Sequence, residues 1–201
     1  YSDGGIKNVS KFSYNSNGDI ISKTDMNDLG VVLLKQNISY DSEGRKVSEI
    51  DYDSTGVSLG KTLIKNYDDD DNIQLIEKYN SLDSLYARYE FEYNEDGEET
   101  KNTIYNGLNQ ILRQSITSFD DKGNKVSFKI YEGERGLLGT DFYKYNEEGQ
   151  EVETKVLNNQ NEQELRKVNV YNEKGLISKK INYDKLDEPQ FEFIYEYTYF
   201  E

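Results

Sequence analysis

Carboxylates and amides recur beside glycine along this chain, and they are the side chains with the clearest potential for chemistry. The stretches "DDDDN" at 68–72 and "NEDGE" at 94–98 concentrate the oxygen ligands that Ca²⁺ prefers. Calcium, however, takes about six to eight oxygens, which an EF-hand spreads over a loop of about twelve residues. Stretches without clustered acids, "NSNG" and "NEKG", occupy equivalent places. We therefore interpret these stretches as turns, with 68–71 the best-placed cation candidate, and predict no metal site and no cofactor.

The residue types that are missing exclude several kinds of active site. The chain has no His and no Cys, which excludes an imidazole general base, a Ser-His-Asp triad and a thiolate nucleophile. The 39 Asp and Glu residues could form carboxylate pairs for hydrolysis, but no single one stands apart in its sequence context. We predict that the chain is not an enzyme, and a carboxylate glycoside hydrolase is the second alternative.

The net charge limits the classes of partner that the chain can bind. A formal charge of -15 argues against nucleic acid and anionic membrane surfaces, because both are bound through clustered Lys and Arg. No stretch approaches the roughly 18 consecutive apolar residues of a membrane helix. We predict no nucleic-acid binding and no membrane insertion, and expect a protein or a glycan at a cell surface as the partner.

A repeat of 26 residues organises the chain. An aromatic residue recurs at this spacing, with one step of 27, and glycine or aspartate follows each of the first seven four residues later. A second row of large side chains stands twelve residues after the first, and each member precedes a second turn whose sequence varies more. The first row is Tyr14, Tyr40, Tyr67, Tyr93, Phe119, Tyr145, Tyr171 and Tyr197; the second is Met26, Tyr52, Tyr79, Tyr105, Tyr131, Leu157 and Tyr183. We predict one repeat domain over 1–201, of about seven and a half repeats, beginning part-way through a repeat.

The turns predict an all-β fold. Asn or Asp at the first turn position accepts backbone N–H groups, and glycine at the end supplies the positive φ of a G1 bulge. The segments between turns are short and rich in β-branched and aromatic residues, which indicates strands. We predict an antiparallel β-meander of about fifteen strands, either a twisted or curled sheet, a β-solenoid or part of a β-shell. A hydrophobic content of 34% and a charged content of 31% predict a thin core, or a sheet that is wetted on much of its surface.

Aromatic rows are the candidate binding surfaces. A row with one ring per repeat could hold a glycan, or it could stack across strands to hold the repeats together. The last stretch, "FEFIYEYTYF", is richer than any other strand and could cap the core, form a junction or bind a ligand. The candidate ligand or partner face is Phe191, Phe193, Tyr195, Tyr197 and Tyr199.

The stretch "YDSEGRKVSEIDYDSTG" at 40–56 resembles the YD repeat of the RHS family, and MORN-type hairpin repeats are a weaker second resemblance. Elsewhere Asn often replaces Asp, and the arginine after glycine is mostly lost. The resemblance implies a bacterial surface or secreted protein whose strands form part of a β-shell that encloses or presents another polypeptide. Seven and a half repeats are few for a closed cage, so a short relative used for adhesion or presentation fits better.

These features predict a non-enzymatic bacterial scaffold or adhesin that acts through an extended β-sheet surface. We expect an extracytoplasmic location: cell surface, secreted or periplasmic. The leading alternative is a carbohydrate-binding module that uses the aromatic rows.

Overall fold

The computed structural model of the chain describes residues 8–198, which form fifteen strands and a 3₁₀ helix, Gly133–Arg135. The strands are β1 Asn8–Tyr14, β2 Ile20–Asn27, β3 Val32–Tyr40, β4 Lys46–Asp53, β5 Ser58–Tyr67, β6 Ile73–Asn80, β7 Leu85–Tyr93, β8 Glu99–Asn106, β9 Ile111–Phe119, β10 Lys125–Glu132, β11 Gly136–Tyr145, β12 Glu151–Asn158, β13 Gln163–Tyr171, β14 Ile177–Tyr183 and β15 Pro189–Ile194. Within residues 8–198 no helix is long and apolar enough to cross a membrane.

The sheet order is the order of the chain. Each strand lies beside the strands that precede and follow it, and every described pairing is antiparallel, as in β1 with β2 and β14 with β15. The predicted all-β meander of about fifteen strands is confirmed. The chain divides into two compact units: the first is Tyr1–Phe91 with Ile104–Gln110, and the second is Glu92–Thr103 with Ile111–Glu201. The single repeat domain over 1–201 stays a prediction.

Side chains of Asn and Asp shape the turns, and the turn that starts at Asp41 shows how. The backbone N–H of Asp41 donates to the carbonyl oxygen of Arg45 at 2.9 Å, and that of Gly44 donates back to Asp41 at 3.2 Å. The Asp41 Oδ1 atom accepts the N–H groups of Glu43 at 3.1 Å and Arg45 at 2.8 Å. One short side chain thereby satisfies two backbone donors that have no partner in the strand ladder.

The second turns of the repeat have the same backbone geometry as the first turns, although their sequences vary more. The turn at Asn80 repeats both backbone bonds, and its Oδ1 accepts the N–H groups of Leu82 and Ser84. The fourth residue has positive φ in all of these turns, and where it is not glycine it is Asn or Asp, the residues that best tolerate this conformation. These non-glycine residues are Asp71, Asp83, Asn109, Asn161 and Asp187.

One connection departs from this turn geometry. Glu132 stands at the first turn position, and its longer side chain makes no capping hydrogen bond to the backbone. The chain there forms the 3₁₀ helix Gly133–Arg135 instead. This lies within the "GERGLLG" stretch that breaks the repeat in the sequence.

Tyrosine hydroxyl groups complete the strand ladder near the first turns. The pairing of β2 with β3 reaches only Ser22 and Asn37, two residues short of Ile20. The hydroxyl of Tyr40, at the end of β3, donates to the carbonyl oxygen of Ile20 at 3.0 Å. The same bond, at 2.5–2.9 Å, recurs in the pairs Tyr67 with Lys46, Tyr145 with Lys125, Tyr171 with Glu151, and Tyr197 with Ile177.

Few residues are buried. Among residues 8–198, those with the most complete burial are Met26, Ala87, Thr103 and Thr140. The chain exposes 13909 Å², whereas a typical folded monomer of 201 residues exposes about 9,700 Å². The predicted thin core is therefore present, and much of the stabilisation must come from contacts between neighbouring strands.

Cations stacked on tyrosine rings are the most regular of these contacts. The Arg166 guanidinium lies 3.8 Å from the ring centre of Tyr183, its partner across the strands, and its Nε lies 2.7 Å from a carboxylate oxygen of Asp187. Lys61 makes the equivalent contacts with the ring of Tyr79 and the carboxylate of Asp83. The cation covers the ring face while the turn aspartate fixes the cation, so each such group ties three segments together.

Phe119 interrupts the row of tyrosine hydroxyls, and this yields a test of their role. Phe119→Tyr should add a hydrogen bond from the new hydroxyl to the carbonyl oxygen of Glu99. Glu99 lies twenty residues before position 119, just as Lys125, which accepts the Tyr145 hydroxyl, lies twenty residues before Tyr145. A net gain of about 1 kcal/mol is expected, and Tyr145→Phe should lose a similar amount. Thermal unfolding should show midpoint shifts of roughly 2–4 °C in opposite directions. Equal midpoints for Tyr145→Phe and the parent would contradict the role given to the hydroxyl.

Two turn aspartates make stability depend on pH. The Thr55 side chain and backbone N–H groups lower the pKa of Asp53 below 3.8, and the Asn124 side chain and N–H do the same for Asp120. Because the folded-state pKa is lowered, each carboxylate stabilises the fold at neutral pH, and this contribution is lost as pH falls through the folded pKa. Changing both aspartates to Asn keeps the side-chain oxygen that accepts the backbone N–H groups but removes the titrating carboxylate. The drop in thermal midpoint between about pH 7 and about pH 3 should therefore become smaller.

The reciprocal change supplies the control for this pH effect. Asn146 occupies the equivalent turn position and its Oδ1 accepts the N–H of Gln150 at 2.8 Å. Asn146→Asp should therefore enlarge the drop in thermal midpoint at acid pH. If neither substitution alters the pH dependence, Asp53 and Asp120 are not its source.

Candidate functional site

The aromatic face predicted near the end of the chain lies on and just after β15, in the second unit. Phe191 pairs with Asn182 and Phe193 pairs with Lys180 across the strands. Their side chains are 65% and 51% exposed, far more than is usual for phenylalanine in a sheet with a covered face. β15 is exposed along its whole length.

Phe193 and Tyr195 lie together over a shallow groove of about 380 Å³. Side chains alternate between the two faces of a sheet along each strand, so residues paired across the neighbouring strands lie on the same face as these two rings. The groove is lined by Glu151 and Thr154 of β12, Lys167 and Asn169 of β13, Lys180 and Asn182 of β14, and the two aromatic side chains. It combines apolar ring faces with amide, hydroxyl and ammonium groups, which suits a polar ligand with an apolar face.

Internal contacts already fix part of this groove. The Asn169 side chain donates to the carbonyl oxygen of Glu151 at 2.9 Å, and Thr154 donates to the Glu151 carboxylate. The Lys180 ammonium lies 5.8 Å from the centre of the Tyr195 ring, within cation–π range. The β12 side of the groove is thus held in place, whereas the aromatic side faces solvent.

The structure divides the five predicted residues into different roles. Phe193 and Tyr195 line the groove, and Phe191 lies opposite Asn182, which also lines it. Tyr197 donates its hydroxyl to Ile177 at 2.8 Å, as the inner tyrosines of the row do to their own partners. Tyr199 lies outside the described residues.

The acidic turn at 68–71, which was the best-placed cation candidate, uses its carboxylates internally. The Asp68 Oδ1 accepts the N–H groups of Asp70 at 3.0 Å and Asn72 at 2.8 Å. A carboxylate oxygen of Asp71 lies 3.0 Å from the Arg45 guanidinium, which also lies over the ring of Tyr67. In the described part of the chain, His, Cys, Asp and Glu form no group of three that could hold a metal ion.

A second groove in the same unit, of about 490 Å³, lies between the turns at 120–124 and 146–150 beside Tyr143. Burial raises the pKa of Tyr143 to about 12, and the Asp141 carboxylate next to it adds to the shift. The phenol therefore keeps its proton at neutral pH, and it acts as a hydrogen-bond donor rather than as a base.

Sequence reasoning missed a row of exposed apolar side chains in the first unit. At three of the four second turns of this unit the third residue is leucine, namely Leu29, Leu82 and Leu108, each more than 80% exposed. A little further along, Leu59 and Tyr86 line a groove of about 390 Å³. The signal was present in the sequence as leucine at one repeated turn position, where polar residues are normal.

Comparison with known proteins gives similarity in structure only. No protein-family model matches the chain, and no curated protein matches its sequence. The crystal structure of TcdB2-TccC3 is similar over 91% of this chain and 12% of its own, at 12% identity and a TM-score of 0.49. The Tc holotoxin pore of Photorhabdus luminescens is similar over 88% of this chain and 13% of its own, at 11% identity and a TM-score of 0.25.

A protein of comparable length is also similar. A porin-like protein from Bacteroides uniformis matches over 90% of this chain and 86% of its own, at 8% identity and a TM-score of 0.41. This chain therefore spans most of the porin-like protein but about an eighth of the Tc toxin chains.

Proposed function

We propose that this chain is a non-enzymatic scaffold of a bacterial surface or secreted protein, and that it binds another polypeptide through its extended sheet surface. The observation that carries the proposal is the burial pattern. Along β4, β10, β12 and β14 every residue is half-buried, so side chains on both faces reach solvent. Such a sheet offers far more contact area than it uses for its own core.

The way the strands are held together supports the same role. Turn side chains, tyrosine hydroxyls and stacked cations contribute to the stabilisation, so many solvent-facing side chains remain available for contact with a partner. The resemblance of residues 40–56 to YD repeats points to adhesion or presentation at a bacterial surface. The proposed location is extracytoplasmic.

A second candidate function is carbohydrate binding at the groove beneath Phe193 and Tyr195. The specific observation is the combination of exposed ring faces with Asn169, Asn182 and Lys180 in one open groove. Sugar rings pack their apolar faces on aromatic rings and satisfy their hydroxyl groups with such polar neighbours.

A cell-binding experiment separates the two functions. Beads coated with the chain should bind target cells if the chain is an adhesin, and treating those cells with glycosidases should leave binding intact when the partner is a polypeptide. Treating the cells with protease should remove it. Labelling of the full-length protein on intact bacteria by a membrane-impermeant reagent tests its location, and labelling only after lysis would contradict an extracytoplasmic scaffold.

The carbohydrate function makes its own prediction at the groove. Titration with soluble polysaccharides should change tyrosine fluorescence, and Phe193→Ala should weaken the apparent affinity roughly tenfold or more, because the platform loses ring stacking. Phe142→Ala is the matched control, since Phe142 is an exposed phenylalanine of the same unit on β11, away from this groove. Equal affinities for the two variants would exclude the groove as the glycan site.

A further inference from the structure

The edge of the first unit that carries the second turns exposes an unusual amount of apolar surface. Leu29, Leu82 and Leu108, at the turn tips, are 82%, 83% and 81% exposed. The first turns of the same unit carry Asn17, Glu43 and Asp70 at the corresponding position. We call the exposed apolar residues of these second turns, and of the strand starts that follow them, the leucine edge. They are Leu29, Val31, Leu33, Val57, Leu59, Leu82, Tyr86 and Leu108.

Bulges in the strands extend the leucine edge onto a face of the sheet. Between β4 and β5, Tyr52 pairs with Ser58 and Asp51 with Gly60, so Leu59 is the extra residue. The bulge between β6 and β7 leaves Tyr86 as the extra residue in the same way. A bulge redirects its extra side chain away from the regular alternation. Both side chains are about half exposed, and they line one groove with Leu34 and Tyr79.

Equivalent positions in the second unit are mostly polar. The bulge residues described at the second turns there are Leu138, Glu164 and Gln190, of which Leu138 is 41% exposed. Leu186 is an exposed turn-tip leucine with Glu188 close behind it. Turn chemistry therefore does not require the leucines, because the same turns form with Thr55 and Gln160 at the tip.

The eight residues of the leucine edge are between 48% and 83% exposed. Their exposed surface sums to on the order of 900 Å², more than the few hundred Å² of apolar surface that monomers usually leave uncovered in one patch. A standard protein interface buries about 800 Å² on each partner. The exposed surface of the leucine edge is therefore comparable to the area that one side of a stable dimer buries.

We propose that the leucine edge is an interface between two copies of this chain. Its apolar side chains recur once every two strands, a spacing of roughly 10 Å. A second copy of the chain carries its apolar side chains at the same spacing, because its sequence is the same. A two-fold arrangement can therefore bring the two leucine edges into register. Of the charged residues that line the groove, Lys61 lies 2.5 Å from Asp83, and Asp51 accepts a hydrogen bond from the Gln36 amide at 2.9 Å.

The net charge gives this dimer a distinctive salt response. Two copies that each carry a formal charge of -15 repel one another, and salt screens that repulsion. An apolar interface is not weakened by screening. The dimer should therefore tighten as ionic strength rises from roughly 0.1 M to 1 M, whereas association through ion pairs would loosen.

Sedimentation velocity and light scattering on the chain as it stands test the proposal. The parent should be dimeric within the range from roughly 1 μM to 1 mM, and the double variant Leu82→Ser with Leu108→Ser should raise the dissociation constant about 30-fold or more. Both leucines are turn-tip side chains in open solvent within one copy, so the fold tolerates their replacement; circular dichroism and the thermal midpoint verify this.

Leu186→Ser is the matched control, because Leu186 is 70% exposed at the same turn position in the second unit and lies outside the leucine edge. It should leave the dissociation constant unchanged. A monomeric parent throughout the concentration range would overturn the proposal. So would a dimer that resists the double variant, or one that weakens as salt is added.

Discussion

The fold depends on one hydrogen-bonding arrangement, in which the side-chain oxygen of Asn or Asp accepts backbone N–H groups across a five-residue turn. Asp41 and Asn80 make it although three of the other four loop positions carry different residues. The turn sets the register of the strands it joins, and in a meander every strand is placed by such a turn. Where Glu132 replaces the short side chain, a 3₁₀ helix takes over the connection.

Contacts between neighbouring strands supply the stabilisation that a hydrophobic core supplies in most domains. A hydroxyl such as that of Tyr40 supplies a bond to a carbonyl that the ladder does not reach. A cation such as Arg166 covers a tyrosine ring and meets a turn aspartate. Each contact is worth little alone, and the fold is stable because the same few contacts recur in repeat after repeat.

Much of this architecture could be predicted from the sequence, because turn chemistry and a fixed period are local signals. The strand count, the antiparallel order and the turn positions followed from Asn, Asp and Gly at constant spacing. The partner of each tyrosine hydroxyl did not, since a carbonyl twenty residues away becomes a neighbour only once the register and the end of the ladder are known. The leucine edge was missed for a related reason: whether Leu59 or Tyr86 faces solvent depends on bulges that the alternation pattern does not report.

The candidate groove was predictable in part. The crowding of aromatic residues near the end of the chain identified Phe193 and Tyr195, but the polar residues that join them come from three other strands. Their convergence depends on the pairing register, and a sequence pattern read along one strand cannot supply it. The hydroxyl of Tyr197 completes the ladder; its place in the first aromatic row marks it, but the composition of the final stretch does not distinguish it from its neighbours.

Because each strand pairs with its chain neighbours, the two partners in every described strand pair are close in sequence; even Gly60 and Asn80, at the far ends of one hairpin, are only twenty residues apart. Low contact order of this kind favours rapid folding, since little loop-closure entropy opposes each step. It also gives the chain a mechanical character. Tension applied to the ends of either unit would peel hairpins away one after another, at modest force and with a long extension. Each released segment could pair again without waiting for the rest, so such a sheet would yield under load and recover rather than break.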